Sequence, residues 1–209
     1  MSILFTPVAR LGFPALFTPK AAPGSATLKY SAVLCFLPDD KGMLQVIDEA
    51  TKKVVLKPMA EALKPLTDAC KEAAIKKFGE KYLECYKQDE LFKMDHKGFP
   101  KGSICLSVGA YATNKAGEKL PPPGIVDRYR DPKTGKARVI TDPLEMYPGC
   151  QVIASVNPYA YDNVRKGVSV GLNNMQRWGD GTRFDGRQAA ADEFDGQEPE
   201  AADGVDDLL

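Results

Sequence analysis

Hydrophobic and polar residues alternate most clearly between residues 150 and 178 of this 209-residue chain. Two apolar triplets there alternate with polar or small residues, the first with Gln151, Ser155 and Asn157 and the second with Ser169 and Gly171, which is the two-residue period of a half-buried strand. The triplets are Val152, Ala154 and Val156, then Val168, Val170 and Leu172. Residues 162–167 between them are rich in turn formers. The pattern predicts an antiparallel hairpin with a basic tip.

The first strand of this hairpin carries a proline followed by two tyrosines. Pro158 has no backbone donor, so we expect an edge or a bulge there. Tyr159 and Tyr161 share a face, and the cations Arg165 and Lys166 follow at the tip. Aromatic rings beside cations suit stacked bases and phosphates. They suit an ordinary sheet equally well, so both interpretations stay open at this point.

Two further segments have strand patterns. Residues 28–37 read LKYSAVLCFL and are apolar on both faces near their end, as in a central strand. Tyr30 and Phe36 are therefore predicted to lie in the core. Residues 104–111, ICLSVGAY, place Ile104 and two further apolar residues on one face and predict another strand.

A helical insertion is predicted over residues 43–79. Its apolar residues recur at steps of three and four along one stripe, namely Met59, Leu63, Leu66, Cys70, Ala73 and Ala74. Pro65 predicts either a kink or the first turn of a second helix. Gly79 is expected to cap the end. Residues 81–102 have no clear pattern and receive no assignment.

The densest basic segment is residues 127–138, DRYRDPKTGKAR. Five cations surround Tyr129 and a Pro-Lys-Thr-Gly turn, namely Arg128, Arg130, Lys133, Lys136 and Arg138. An exposed hairpin tip and a nucleic-acid contact both explain this composition. Arg177 with Trp178 is a third pair of cation and ring, although a tryptophan after a strand can also fill a core.

The overall charge of zero conceals a strong partition along the chain. Residues 192–209 hold eight of the 28 acidic residues and no Lys or Arg. The other 191 residues therefore hold 20 acidic residues against all 28 Lys and Arg, a net charge of +8. A basic body favours a polyanionic partner. The acidic segment has almost no large apolar residues and predicts a disordered tail over residues 185–209.

Cysteine and histidine usage argues against several site types. The five cysteines are far apart, and His96 is the only histidine, so we expect neither a structural zinc site nor a catalytic Cys–His pair. The cysteines are interpreted as small buried residues in a reducing compartment. No signal-peptide pattern or membrane-spanning apolar run is found, which predicts a cytoplasmic location and no membrane partner.

Several segments together resemble the bacteriophage single-stranded DNA-binding proteins of the DUF2815 type, which are similar to the T7-type phage protein. They are LKYSAVLCF at 28–36, PGIVDR at 123–128, the Tyr-Pro-Gly-Cys turn at 147–150, NPYAYDN at 157–163, KGVSVGLNNMQRWGDG at 166–181 and the acidic transition after Phe184. The resemblance implies a mainly β fold with an inserted helix, an OB-fold-like Greek-key barrel over residues 1–184. It also implies that the protein coats single strands, without sequence preference, during phage DNA replication and recombination in the bacterial host.

A candidate DNA-binding site follows from what such a barrel needs, which is cations along the backbone path and flat rings for bases. The candidates are Arg128, Tyr129, Arg130, Lys136, Arg138, Tyr159, Tyr161, Arg165, Lys166, Arg177 and Trp178. The acidic tail is predicted to compete with DNA and to recruit replication and recombination proteins. Its candidate partner-binding residues are Asp203, Asp206, Asp207, Leu208 and Leu209. No cofactor or metal is expected, and a homo-oligomeric state stays open.

Two other classes of function share some of these sequence features. One is a structural or assembly protein of the virion, whose hairpins contact neighbouring subunits. The other is a metal-dependent nuclease, but the body shows no acidic cluster with Lys or His at catalytic spacing. It also lacks a Gly-rich phosphate loop and a nucleophile elbow. The sequence therefore predicts a binding protein that is not an enzyme.

Overall fold

The computed structural model of the chain describes residues 3–21, 24–48, 50–114, 116–163, 165–184 and residue 186. The predicted acidic tail and its terminal leucines lie outside the described residues, apart from Gly186. No helix in the described part of the chain is long and apolar enough to cross a membrane.

The described residues are mostly in strands. In chain order these are β1 (Leu4–Phe5), β2 (Ala9–Ala21), β3 (Leu28–Phe36), β4 (Met43–Ile47), β5 (Val54–Pro58), β6 (Phe92–Met94), β7 (Ile104–Tyr111), β8 (Gly124–Arg130), β9 (Ala137–Val139), β10 (Gln151–Asp162) and β11 (Lys166–Gly179). The helices are α1 (Met59–Phe78), α2 (Tyr82–Cys85) and α3 (Gln88–Leu91). The strand predictions at residues 28–37 and 104–111 are confirmed.

The main sheet closes on itself. Its order β10-β2-β3-β7-β11 is completed by the pairing of β10 with β11. All these neighbours are antiparallel except β7 and β11, which run parallel. β8 extends the sheet beside β11, and β9 pairs with β8. This connectivity is that of an OB-like Greek-key barrel, as predicted.

Alternate residues of each barrel strand point into a closed apolar core. Leu34 and Phe36 on β3, Leu106 on β7, and Val152 and Val156 on β10 are fully buried. Tyr30, which was also predicted to be in the core, is only half-buried because it lies near the start of β3. Helix α1 packs against β10 and buries one stripe, which includes Leu63, Leu66 and Cys70. Burial of this apolar surface holds the helix on the barrel.

The predicted extent of the helical insertion is wrong at its start. Residues 43–58 form a β4–β5 hairpin, and the helix begins at Met59. Leu44 and Val46 alternate with outward residues, and across the hairpin Leu44 pairs with Lys57 and Val46 with Val55. Its turn is closed by the Asp48 carboxylate, which accepts hydrogen bonds from the backbone and side chain of Thr51.

Other helix signals are resolved by the structure. Pro65 lies inside one continuous α1 and does not begin a second helix. Gly79 ends α1 with a φ of 56°, and its N–H donates to the Ile75 carbonyl, which confirms the predicted cap. Residues 81–102 fold into the short helices α2 and α3 and strand β6, followed by a loop that leads into β7.

The β10–β11 hairpin is confirmed, and it contains a bulge. Its register shifts between Ser155 and Val156, so that Asn173 is an extra residue on β11. β1 and β2 pair only with residues 151–156 of β10 in the described structure, so Pro158 lies where the strand is an edge on that side. The missing donor of Pro158 therefore costs no ladder hydrogen bond on that side.

Candidate nucleic-acid interface

The outward-facing residues of the barrel form a strip of small side chains across β3, β7 and β11. Ser31 lies opposite Gly109, and Gly109 lies beside Gly171 on the parallel neighbour. Gly171 is required by a close approach, since a Cβ there would lie 2.7 Å from Oδ1 of Asn157. Ser31 and Gly109 therefore form a low surface on the sheet, and the Asn157 side chain, which lies over Gly171, borders it.

Three tyrosines stand at one end of this strip. Tyr111 ends β7, while Tyr159 and Tyr161 lie on β10 opposite Ser169 and Gly167 of β11. Together with Lys29, Asn163, Arg165 and Ser169 they line a hollow of about 450 Å³. The sheet thus brings rings and cations from separate parts of the sequence to one place. We refer to this hollow as the tyrosine site.

The chemistry of the tyrosine site suits an anionic ligand with flat rings. Nζ of Lys29 lies 4.4 Å from the centroid of the Tyr111 ring, and Arg165 is exposed at its edge. Burial raises the pKa of Tyr159, so this phenol is neutral at physiological pH. A neutral ring adds no repulsion toward a phosphate, while the two cations attract one.

Lys29 and Tyr111 were missed from the sequence. Both lie on strands that were predicted correctly, and they are direct cross-strand partners on β3 and β7. The available signal was the alternation along each strand. The inward residues are apolar, and Lys29 and Tyr111 each occupy an outward position near a strand end. That signal needs the strand pairing, which the sequence did not supply.

A second cluster contains Arg128, Tyr129 and Trp178. The guanidinium carbon of Arg128 lies 4.9 Å from the Tyr129 ring centroid and 5.6 Å from that of Trp178. Tyr129 is 59% exposed and Trp178 is half-buried, so neither ring is sealed in the core. Trp178 lies nine residues along β11 from Ser169, a separation of roughly 30 Å at the usual strand rise.

Arg138 and Arg177 instead neutralise carboxylates of the protein itself. Arg138 donates to Oδ2 of Asp127 at 2.7 Å and also pairs with both carboxylate oxygens of Glu145. Arg177 donates to Asp180 at 2.6 Å and to the Glu145 carbonyl at 3.2 Å. These contacts tie the β8–β9 hairpin to the barrel, so the structure gives both arginines a bracing role.

Asp127 is the buried centre of this network. Burial alone would raise the pKa of Asp127, but the hydrogen bonds from Arg138 and the Tyr129 N–H hold it below its ordinary value. The charges of Arg138 and Arg177 act in the same direction. The hydrogen bond from Arg138 likewise lowers the pKa of Glu145. Both carboxylates are therefore ionised at neutral pH.

The remaining predicted cations lie at hairpin tips. Arg130 donates to the Gly135 carbonyl at 2.8 Å and closes the β8–β9 turn, where Lys136 is exposed. Lys166 lies 3.6 Å from Asp162 at the β10–β11 tip, with both side chains well exposed. Such exposed pairs are weak and easily exchanged for another anion.

Comparison with known proteins supports the predicted family. Residues 2–207 match the family model described as Enterobacter phage Enc34, ssDNA-binding protein. The chain is 28% identical over 193 residues to protein p50 of Acyrthosiphon pisum secondary endosymbiont phage 1, with 89% of each chain covered.

Solved structures share the fold. One is the single-stranded DNA-binding protein from bacteriophage Enc34 in complex with ssDNA, with a TM-score of 0.55, 18% identity, and 86% of this chain and 88% of that chain covered. Another is gp2.5, the single-stranded DNA-binding protein encoded by bacteriophage T7, with a TM-score of 0.55, 14% identity, and 90% and 98% covered. Together with the match along the sequence, this similarity leads to one conclusion: the chain belongs to the family of the Enterobacter phage Enc34 ssDNA-binding protein.

Proposed function

We propose that this protein binds single-stranded DNA without sequence preference and coats it during phage DNA replication and recombination in the bacterial cytoplasm. The observation that carries the proposal is the tyrosine site, where Tyr111, Tyr159 and Tyr161 adjoin Lys29 and Arg165. Membership of the Enc34 family supports it, because one structure of that phage's protein is described as a complex with ssDNA.

The proposed binding mode follows from these side chains. Bases stack on the tyrosine rings, which contributes about 1–3 kcal/mol per base and works with any base. Lys29 and Arg165 contact phosphates, which makes the affinity depend on salt. Stacking accepts any base and phosphate contacts carry no sequence information, so no sequence preference is expected.

The second cluster extends the proposed path. A strand that follows the outer face of β11 from the tyrosine site reaches Trp178, where Arg128 stands over both Trp178 and Tyr129. Arg130, Lys136 and Lys166 provide further charge at the neighbouring tips. Arg138 and Arg177 support this path through Asp127 and are not proposed to contact DNA.

The acidic tail is proposed to regulate access to this path. Its eight negative charges complement the +8 body, and a tethered anion meets the groove at high effective concentration. DNA displaces the tail, and the freed end then recruits replication and recombination proteins. Asp203, Asp206 and Asp207 followed by Leu208 and Leu209 have the composition of a short docking motif.

A fluorescence titration with poly(dT) at low and high salt tests the proposal. Stacking should quench tyrosine or Trp178 emission, and the affinity should fall as salt rises. The two phosphate contacts of Lys29 and Arg165 predict a slope of roughly −1.4 for log affinity against log salt, and further contacts would make it steeper. Absence of quenching, or an affinity insensitive to salt, contradicts the proposal. Labelled strands incubated with Mg²⁺ or Mn²⁺ should stay intact, whereas cleavage would indicate a nuclease.

A further inference from the structure

Phe13 is an exposed aromatic residue in a strained backbone conformation. It lies on β2 at the bulge between Gly12 and Ala15, and 65% of its surface is accessible. Its φ is 44°, in the left-handed region that bulky residues rarely adopt. Glycine would fit this conformation without strain. A large apolar ring presented to solvent at such a position points to a role that requires the ring.

Other aromatic residues hold the Phe13 ring in place from one side. The rings of Phe13 and Phe99 meet edge to face, with centroids 5.5 Å apart. Phe99 contacts Phe184 and His96 in the same way, at 5.5 Å and 5.7 Å. Phe99 lies directly on the backbone of Gly12, where a Cβ would clash with the Phe99 ring. Phe13 is thus the outermost ring of a supported stack.

This cluster is continuous with the outward strip of the barrel. Gly12 is the cross-strand partner of Val33 on β3, and Val33 is the partner of Ser107 on β7. From Val33 the same outward row passes Ser31 and reaches Lys29 at the tyrosine site. Four residues of strand span about 13 Å. Val33 is half-buried and Ser107 is exposed, so the surface between the two sites is open.

The loop that carries Phe99 supplies positive charge. Lys93, Lys97 and Lys101 are all exposed, while Asp95 uses one carboxylate oxygen to accept a hydrogen bond from the Gly102 N–H. The segment that carries Phe99 thus combines an aromatic ring with three exposed cations, as the tyrosine site combines rings with Lys29 and Arg165. This gives a role to residues 93–102, for which the sequence provided none.

We infer that Phe13, supported by Phe99, is a separate stacking platform for an unpaired base of the same DNA strand, beyond the tyrosine site. The inference rests on the proposed function. In this inference the lysines of residues 93–101 contact the phosphates that flank this base. A strand long enough to cover both sites gains affinity from Phe13, and a strand that covers only the tyrosine site does not.

The test compares Phe13→Gly with the wild type on two oligo(dT) lengths, about 3 and about 16 nucleotides, because roughly four nucleotides already span the distance between the two sites. Glycine removes the ring and relieves the backbone, so thermal stability should be kept. For the long strand we expect a roughly 5- to 150-fold loss of affinity, the equivalent of one stacked base. For the short strand we expect no change. Phe13→Tyr should bind as the wild type does.

A matched control and a positional readout complete the experiment. Leu56→Ala removes an exposed apolar side chain from the separate β4–β5 hairpin and should alter neither affinity. The long strand is also prepared with 2-aminopurine at successive positions. In the wild type one group of positions should show quenching that Phe13→Gly abolishes, while quenching at the tyrosine site persists.

The outcomes separate this inference from the proposed function. If Phe13→Gly binds the long strand as tightly as the wild type, the platform is wrong while strand binding stands. An equal loss on both lengths also overturns it, because Phe13 would then act on the whole protein. If the wild type binds neither strand, the proposed function fails and the inference fails with it.

Discussion

Arg138 and Asp127 face each other between β9 and β8, with Nη2 of the arginine 2.7 Å from Oδ2 of an aspartate whose side chain is 3% exposed. One cation of the most basic segment, residues 127–138, therefore neutralises a carboxylate of the protein itself. Arg177 stands 3.9 Å from the same oxygen. Local positive charge in the sequence thus overstates the charge that this segment offers to a ligand.

We predict that Arg138→Met lowers the free energy of unfolding and leaves the DNA affinity of the folded protein unchanged. A buried carboxylate that loses its partner is destabilising, and the nearby Arg177 softens the cost. Urea unfolding measures the first quantity and oligo(dT) titration the second. Lys136→Met on the same hairpin is the control and should change stability by less than about 0.5 kcal/mol. A loss of affinity without a loss of stability would restore Arg138 to the binding site.

The effect of Arg138→Met should depend on pH. Because the pKa of Asp127 is lower in the folded protein than its ordinary value of 3.8, its ion pair stabilises the fold above that pH. The stabilisation is lost as pH falls through the lower folded value. Thermal unfolding should therefore show a wide gap between wild type and variant near pH 7 that narrows below about pH 3.8. A gap that stays constant would mean that packing, not charge, explains the difference.

Tyr159→Ala is predicted to weaken single-strand binding about 5- to 150-fold, the value of one stacked base. Tyr159→Phe keeps the ring and should retain most of the affinity, since stacking does not need the hydroxyl group. Tyr129→Ala, made separately, tests the second cluster in the same way. The measurement is titration with oligo(dT), corrected for the folded fraction. If these variants lose only folding stability, both rings support the fold and do not belong to the interface.

Much of the fold could be predicted because its signals are local. The β10–β11 hairpin, β3 and β7 follow from alternation, and Gly79 follows from capping. The start of α1 was misplaced because residues 43–58 mix apolar and charged residues without a clear period, and only pairing between β4 and β5 reveals the alternation. Short strands carry little periodic signal of their own.

The site was harder to predict than the fold. Tyr159 and Tyr161 were predicted because ring and cation are close in sequence, whereas Tyr111 lies beside them only through the parallel pairing of β7 with β11. Arg138 was predicted as a DNA-binding residue because its carboxylate partners cannot be recognised in the sequence. They lie beside it only once the β8–β9 hairpin has folded. Proximity in sequence shows which charges are present but not which of them are already neutralised.

Arg165→Gln should reduce the salt dependence of binding and not only the affinity. If this arginine contacts one phosphate, its loss should make the slope of log affinity against log salt shallower by about 0.7. Arg138→Met provides the comparison and should leave the slope unchanged, because its charge is neutralised within the protein. Titrations at four or more salt concentrations give the slopes. Equal slopes for Arg165→Gln and the wild type would exclude a phosphate contact at this position.

Deletion of residues 192–209 should tighten binding to oligo(dT) at low salt, because it removes an anion that competes for the cationic path. The advantage should shrink as salt rises, since ions screen the tail from the body over a Debye length of about 10 Å at 0.1 M. A full-length variant whose eight tail carboxylates are changed to amides separates charge from length and should bind as tightly as the deletion.

Replacing Leu208 and Leu209 with serine leaves the charge intact and should not alter DNA affinity, although it should weaken capture of replication proteins. An unchanged affinity of the deletion at low salt would show that the tail does not compete with DNA.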